Sequence, residues 1–244
     1  MRPSLSPGAG QVQVWLVQRP ELAGDLARLH GFLSEDELLR GNRLLARDRR
    51  DQFFAGRGIL RELLSRYLGE EPGKIRLSEG EFGKLHLSDH LEADSLSFNL
   101  SHAGDCLLLA FAVGCEIGCD LELVRQDLPF AAMARRYFSA REQEELFSLP
   151  EEGQIDAFYR CWTRKEAYLK GTGTGFSYPS NSFDISLLPQ EPAVLLAHRG
   201  SPGETARWSI KDIAVPKGFC AALAVEGRHP QIKIFSCVGF SEGC

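Results

Sequence analysis

Two short segments of this 244-residue chain hold residues whose types and spacing could do chemistry: Asp120 and Glu122 in IGCDLEL, and Glu166 and Lys170 in WTRKEAYLKGTGTG. Alternate residues of a strand share a face, so Asp120 and Glu122 project together from a stretch flanked by Ile117, Leu121, Leu123 and Val124. A buried pair of like charges needs a cation. In the second segment Ala157, Phe158, Cys161, Trp162, Ala167, Tyr168 and Leu169 supply the apolar part of a helix that the glycines at Gly171, Gly173 and Gly175 are expected to break. Glu166 and Lys170 are four apart and lie on one face of it. Three carboxylates and a lysine suit a divalent metal holding a phosphate, because Mg²⁺ takes hard oxygen ligands and leaves positions for phosphate and water. The same acids also suit a plain role, solvated or ion-paired at strand and helix ends, since Glu/Lys pairs four apart are ordinary helix-surface features.

The elements that must position these residues recur along the chain. An ungapped offset of 105 residues sets VQVWLV (Val12 to Val17) on IGCDLE (Ile117 to Glu122), and FLSEDE (Phe32 to Glu37) on YFSARE (Tyr137 to Glu142). It also sets Phe53 and Phe54 on Phe158 and Tyr159, and Leu63 and Leu64 on Tyr168 and Leu169. With a small further shift, Leu96 to Val113 corresponds in character to Trp208 to Val225. Each half reads as a strand, a helix, a turn at Ser34 or Ser139, a long helix and a hairpin-like pair of strands. The expected architecture is therefore α+β, a pseudo-dimer of two similar subdomains with a cleft between them. We place a lead at residues 1–10, the first half at 11–114 and the second at 115–244. Where the second half carries Asp120, Glu122 and Glu166, this offset gives the first Trp15, Val17 and Arg61.

Composition limits the function classes. A hydrophobic content of 43% over this length allows a sizeable core, and a formal net charge of −5 gives no bulk attraction to nucleic acid or acidic membrane. Arginines concentrate in the first half, among them Arg40, Arg43, Arg47, Arg57 and Arg61, and most read as partners of nearby acids. Arg57 differs, since Phe53, Phe54, Ile59 and Leu60 surround it in sequence and a guanidinium there needs a partner such as phosphate. The seven cysteines lack CxxC spacing and several fall in apolar runs, as reduced core residues of a cytosolic protein would. MRPSLSPGAG has no apolar signal core, and no run approaches membrane-spanning length. Neither a P-loop nor an HExxH motif occurs. Ser101, His102 and Asp105 are triad types, but adjacent strand residues point to opposite faces.

Taken together, FNLSHAG (Phe98 to Gly104), IGCDLE and WTRKEAYLKGTGTG resemble the signature of the 4′-phosphopantetheinyl transferases. The length and duplicated layout, and the stretch from Leu33 to Gly69, are similar to the large, surfactin-synthetase-activator type, so the likeness spans almost the whole chain. The resemblance implies transfer of the phosphopantetheine arm of coenzyme A to a serine of an acyl or peptidyl carrier protein, releasing 3′,5′-ADP. It implies Asp120, Glu122 and Glu166 as ligands of Mg²⁺, or of Mn²⁺ in its place. Glu166 would also serve as general base, and Lys170 would stabilise phosphate charge with Lys165 nearby. Ser101 and His102 would reach coenzyme A phosphate, and Arg57 the 3′-phosphate with Arg40 or Arg43 helping. Lys84 would be a further coenzyme A contact, although Leu85 stands where the family commonly has proline, and Cys119 stands where an aliphatic residue is usual.

Two other classes fit parts of the pattern: a different Mg²⁺-dependent phosphotransferase, which the missing P-loop disfavours, and a non-catalytic binder of carrier domains, which the full set of acids disfavours. Carrier docking is expected around Phe130, Met133 and Phe138 beside Arg135 and Arg136, with core packing as the competing role of those apolar residues. The internal duplication already supplies a two-half interface, so a monomer is expected.

Overall fold

The computed structural model describes residues 7, 8, 10–18, 25–88 and 96–237, with the backbone alone at Phe176 and Cys237. Most of the expected lead at residues 1–10 lies outside the described residues, as does Cys244. Along the chain run β1 (Gln11–Gln18), α1 (Leu26–His30), α2 (Glu35–Asn42), α3 (Arg47–Leu68), β2 (Leu77–Glu79), β3 (Leu85–Leu87), β4 (Leu96–Ala103) and β5 (Cys106–Val113). There follow β6 (Ile117–Leu123), α4 (Phe130–Tyr137), α5 (Ala140–Ser148), α6 (Glu151–Thr172), β7 (Phe183–Ile185), β8 (Leu195–His198), α7 (Glu204–Arg207), β9 (Trp208–Asp212), β10 (Phe219–Glu226) and β11 (Gln231–Cys237).

The strands form two principal sheets, ordered β11-β1-β5-β4 and β6-β10-β9. Strict alternation gives each strand two apolar faces. Val12, Val14 and Leu16 of β1 join Ile117, Cys119 and Leu121 of β6 in the core between the sheets. Trp15 and Val17 face the other way, against Ile59, Leu60 and Leu63 of α3. In the second sheet Ala222 and Ala224 turn toward Ala167, Tyr168 and Leu169 of α6. Each sheet is thus covered on its outer face by one 22-residue helix, α3 or α6.

The same local chemistry recurs in both halves. Ser34 and Ser139 each open a helix with a reciprocal capping box to Glu37 and Glu142. Both long helices end on a left-handed glycine, Gly69 at φ 74° and Gly173 at φ 71°. The antiparallel ladders β1/β5 and β6/β10 repeat the same register, with Val12 opposite Ala112 and Ile117 opposite Val225. The long helices, however, correspond at an offset one residue shorter than 105, because they begin at Arg47 and Glu151. Glu166 therefore matches Glu62 rather than Arg61, and Lys165 is the counterpart of Arg61.

Two further departures have local causes. Gly171 lies within α6 instead of breaking it, since helix, strand and indole meet there: a Cβ on Gly171 would come within 2.7 Å of the Trp208 ring. The final strand, β11, pairs parallel with β1 and stacks Phe235 on Trp15 at 4.5 Å, so the first sheet takes a strand from beyond residue 114. The five described cysteine side chains, Cys106, Cys115, Cys119, Cys161 and Cys220, form no disulfide with one another.

Candidate active site

The seam between the halves positions the site. One edge of β6 pairs with β10; along the other, side chains of β4 serve its backbone. Asn99 Oδ1 accepts from the Cys119 N–H at 3.0 Å, and Ser101 Oγ from the Leu121 N–H at 3.2 Å. Both come from one face of FNLSHAG, and their spacing of two was a legible signal for Asn99, which the sequence analysis did not single out. On the opposite side α6 lies so close to β6 that a Cβ on Gly118 would sit 2.1 Å from the Ala167 carbonyl oxygen. That approach brings Glu166 and Lys170 over Asp120.

Asp120 is 3% exposed and its Oδ1 accepts from Lys170 Nζ at 2.6 Å and from Ser101 Oγ at 3.0 Å. Lys170 also donates to Ser101 Oγ at 2.9 Å. Burial works against the Lys170 ammonium, but Asp120 and the neighbouring anions outweigh it and hold its pKa above the usual lysine value. Glu122 Oε1 accepts from the Trp162 indole N–H at 3.2 Å, and burial, with Asp120 next, raises its pKa. Glu166 is pushed up to about 7 by burial and then by Asp120, against the pull of Lys170. Cys119, behind this group, has its thiol pushed up to about 12 by burial.

Among the described residues no three His, Cys, Asp or Glu side chains stand close enough together to hold a metal ion as they are placed. Asp120 is turned to Lys170 and Glu122 to Trp162. The donor set nonetheless fits a hard divalent cation. Asp120 Oδ2 is buried with no hydrogen-bond partner, and both Glu122 and Glu166 have pKa values raised in part by Asp120. Mg²⁺ needs only one or two carboxylates beside water and phosphate, so a closed cage of side chains is not required.

Beside this group opens a cleft of about 320 Å³. Arg40, Arg57, Lys84 and Lys170 line it, with His102, Phe53, Phe82 and Phe98, and among the described residues that line it none is acidic. Arg57 reaches it from α3, where burial lowers its pKa against the pull of Glu37 and Glu79; a guanidinium stays charged even so. Lys84 Nζ donates to the Gly171 carbonyl at 2.6 Å and pairs with Glu116, tying the 82–85 turn to α6. His102, with its pKa lowered by burial and by Lys170, faces the cleft as a neutral ring at neutral pH.

Four of the expected residues stand outside the cleft. Lys165 Nζ is buried, pairs with Glu142 at 2.8 Å and donates to the Ser180 and Phe183 carbonyls. Ser101 is committed to Asp120, Lys170 and the β6 backbone and does not line the cleft. Arg43 caps the C-terminus of α2 in the open and is not a cleft residue. Phe138 is core, 1% exposed and stacked on Phe158, whereas Phe130 and Met133 stay partly buried against that core.

The 4′-phosphopantetheinyl transferase superfamily matches residues 116–224, the stretch that carries the three acids and Lys170. The 4′-phosphopantetheinyl transferase HetI of Nostoc sp. is 39% identical over 96% of this chain and 95% of its own length. The transferase Sfp of Bacillus subtilis is 30% identical over 88% of this chain and 90% of its own. Similarity that runs nearly end to end, across both halves and through the acid-bearing strand and helix, places this chain in the 4′-phosphopantetheinyl transferase family.

Proposed function

We propose that this enzyme moves the 4′-phosphopantetheine group of coenzyme A onto a serine hydroxyl of an acyl or peptidyl carrier protein. The observation that carries the reading is that a four-cation cleft meets, through Lys170, the group that Lys170 forms with Asp120 and Glu166. A polyanionic substrate suits that lining, and Arg57 with Arg40 receives the 3′-phosphate while Lys84 and Lys170 meet the pyrophosphate. Lys170, fixed by Asp120 and Ser101, stabilises charge gathering on the phosphate oxygens. Glu166, with a pKa near neutrality, takes the serine proton as the serine oxygen bonds to the β-phosphorus. The phosphorus–oxygen bond to the leaving group breaks, and its electron pair departs with 3′,5′-ADP. When held by Asp120, Glu122 and Glu166, Mg²⁺ or Mn²⁺ supplies charge neutralisation for the pyrophosphate oxygens.

Arg135 and Arg136 on α4, beside Phe130 and Met133, offer a basic and apolar face for an acidic carrier. The two halves, 11–114 and 115–244, act as one monomer in the cytoplasm, and among the described residues no helix is long and apolar enough to cross a membrane. Intact-mass spectrometry of apo carrier proteins incubated with this protein, coenzyme A and Mg²⁺ tests the reading. A gain of one phosphopantetheine group, lost with EDTA, is the expected result. No gain on either an acyl or a peptidyl carrier from folded protein would reject it.

A further inference from the structure

We infer that Glu79 is a positioning residue: from behind the cleft it clips Arg40 and Arg57 together, so that two guanidiniums face one phosphate. The inference rests on the placement of the 3′-phosphate above and names what makes that placement selective. Arg40 comes from the last turn of α2 and Arg57 from the middle of α3. Two cations at close quarters repel, and the Arg57 side chain is only 11% exposed, so its charge is poorly screened without an anion. A single oxygen of Glu79 supplies it, accepting from Arg40 Nη1 and from Arg57 Nη2, the latter at 3.3 Å. The ring of Phe53 completes the clip, with Arg57 5.3 Å and Arg40 5.8 Å from its centroid.

The geometry separates this role from that of a competitor for phosphate. Both arginines and Phe53 line the main cleft and also a smaller cavity of about 230 Å³, whereas Glu79 lines that cavity and a neighbouring one but not the main cleft. Glu37 is already engaged by Arg61 at 2.6 Å, which leaves Glu79 as the salt-bridge partner of both arginines. A phosphate entering the main cleft meets the pair where Glu79 is not among the lining residues, and the carboxylate need not leave. Each guanidinium has five N–H donors in a rigid fork, so holding one corner turns the remaining donors toward the cleft.

The test is calorimetric titration of 3′,5′-ADP, 5′-ADP and inorganic phosphate into the full chain and into Glu79→Gln and Glu79→Asp, with the rate of carrier modification measured alongside. Glu79 is a surface residue of a short hairpin, and thermal unfolding controls for the fold. Glu79→Gln is expected to weaken 3′,5′-ADP and phosphate by about twofold to fivefold, the range of a partly exposed ion pair. Binding of 5′-ADP should hold within twofold, KM for coenzyme A should rise with kcat unchanged, and Glu79→Asp should recover part of the loss. Unchanged or tighter binding of both 3′,5′-ADP and phosphate in Glu79→Gln overturns the inference. Weakened phosphate binding in a protein that never prefers 3′,5′-ADP over 5′-ADP would keep the clip and reject the 3′-phosphate assignment instead.

Discussion

The long helices α3 and α6 are the same device put to two uses. Each is 22 residues long, follows a capping-box helix and ends on a left-handed glycine. Each carries a buried cation that locks onto the capping-box glutamate: Arg61 on Glu37 at 2.6 Å, Lys165 on Glu142 at 2.8 Å. Each then carries a glutamate and, four residues on, a second cation. In α3 the pair closes on itself, with Arg66 on Glu62 at 3.3 Å and Arg28 on Glu62 at 2.9 Å. In α6 Lys170 turns to Asp120, and Glu166 is left with a pKa near neutrality. What differs is the strand beneath: Trp15 and Val17 pack on α3, Asp120 and Glu122 lie under α6. An inert helix surface becomes a reactive one when two apolar strand positions become acids.

The largest test of this comparison removes the locks. Lys165→Met should cost about 3–5 kcal/mol by leaving Glu142 buried and unpaired, and Arg61→Met should act alike in the first half. Denaturant unfolding measures both; a Lys165 variant of normal stability that lost activity would return that lysine to the phosphates. Next, Asp120→Asn should slow transfer by about 10²-fold or more with the fold retained, while Arg66→Gln, at the first-half counterpart of the Lys170 that Asp120 holds, should leave the rate per folded molecule intact. Equal losses of rate would erase the distinction between the halves.

A smaller effect is expected with pH in metal-free protein. The Glu166 pKa is raised in the fold from its ordinary 4.5 to about 7, so its contribution is most favourable below 4.5 and is lost as pH rises through 7. The melting temperature in EDTA should accordingly fall across that window, and Glu166→Gln should flatten the fall. A variant with the same slope would place the titration elsewhere. Smallest, Asn99→Ala should destabilise by about 1 kcal/mol, the worth of one hydrogen bond between the halves, seen as a shift in the unfolding midpoint. No shift would mean that the β4 side chains do not join the sheets.

Much of this was legible before any coordinates, because it is periodic. Alternation put Asp120 and Glu122 on one face, helical spacing put Glu166 beside Lys170, and the repeat put a turn at both Ser34 and Ser139. Errors arose where one residue of register mattered. An ungapped offset matched Glu166 to Arg61 and hid the Glu62–Arg66 pair, since a single-residue deletion between the halves is invisible to residue class. The resemblance assigned Lys165 and Ser101 to phosphate. Lys165 is turned into the core, whereas Ser101 reaches Asp120 and Lys170 and serves the β6 backbone at the seam. Nothing in the sequence marked Glu79, whose partners are far from it along the chain.

The sequence by itself determined the inventory of the site, its acids, its lysine and its arginines, because residue type and local period are properties of short stretches. Tertiary structure alone decided which of them meet. Close approach of α6 to β6 at Gly118 and Gly171, the bridging of β4 to β6, and the return of β11 to β1 depend on packing between distant segments. The charge state of Glu166 depends on the same packing, since burial and a facing carboxylate set it together.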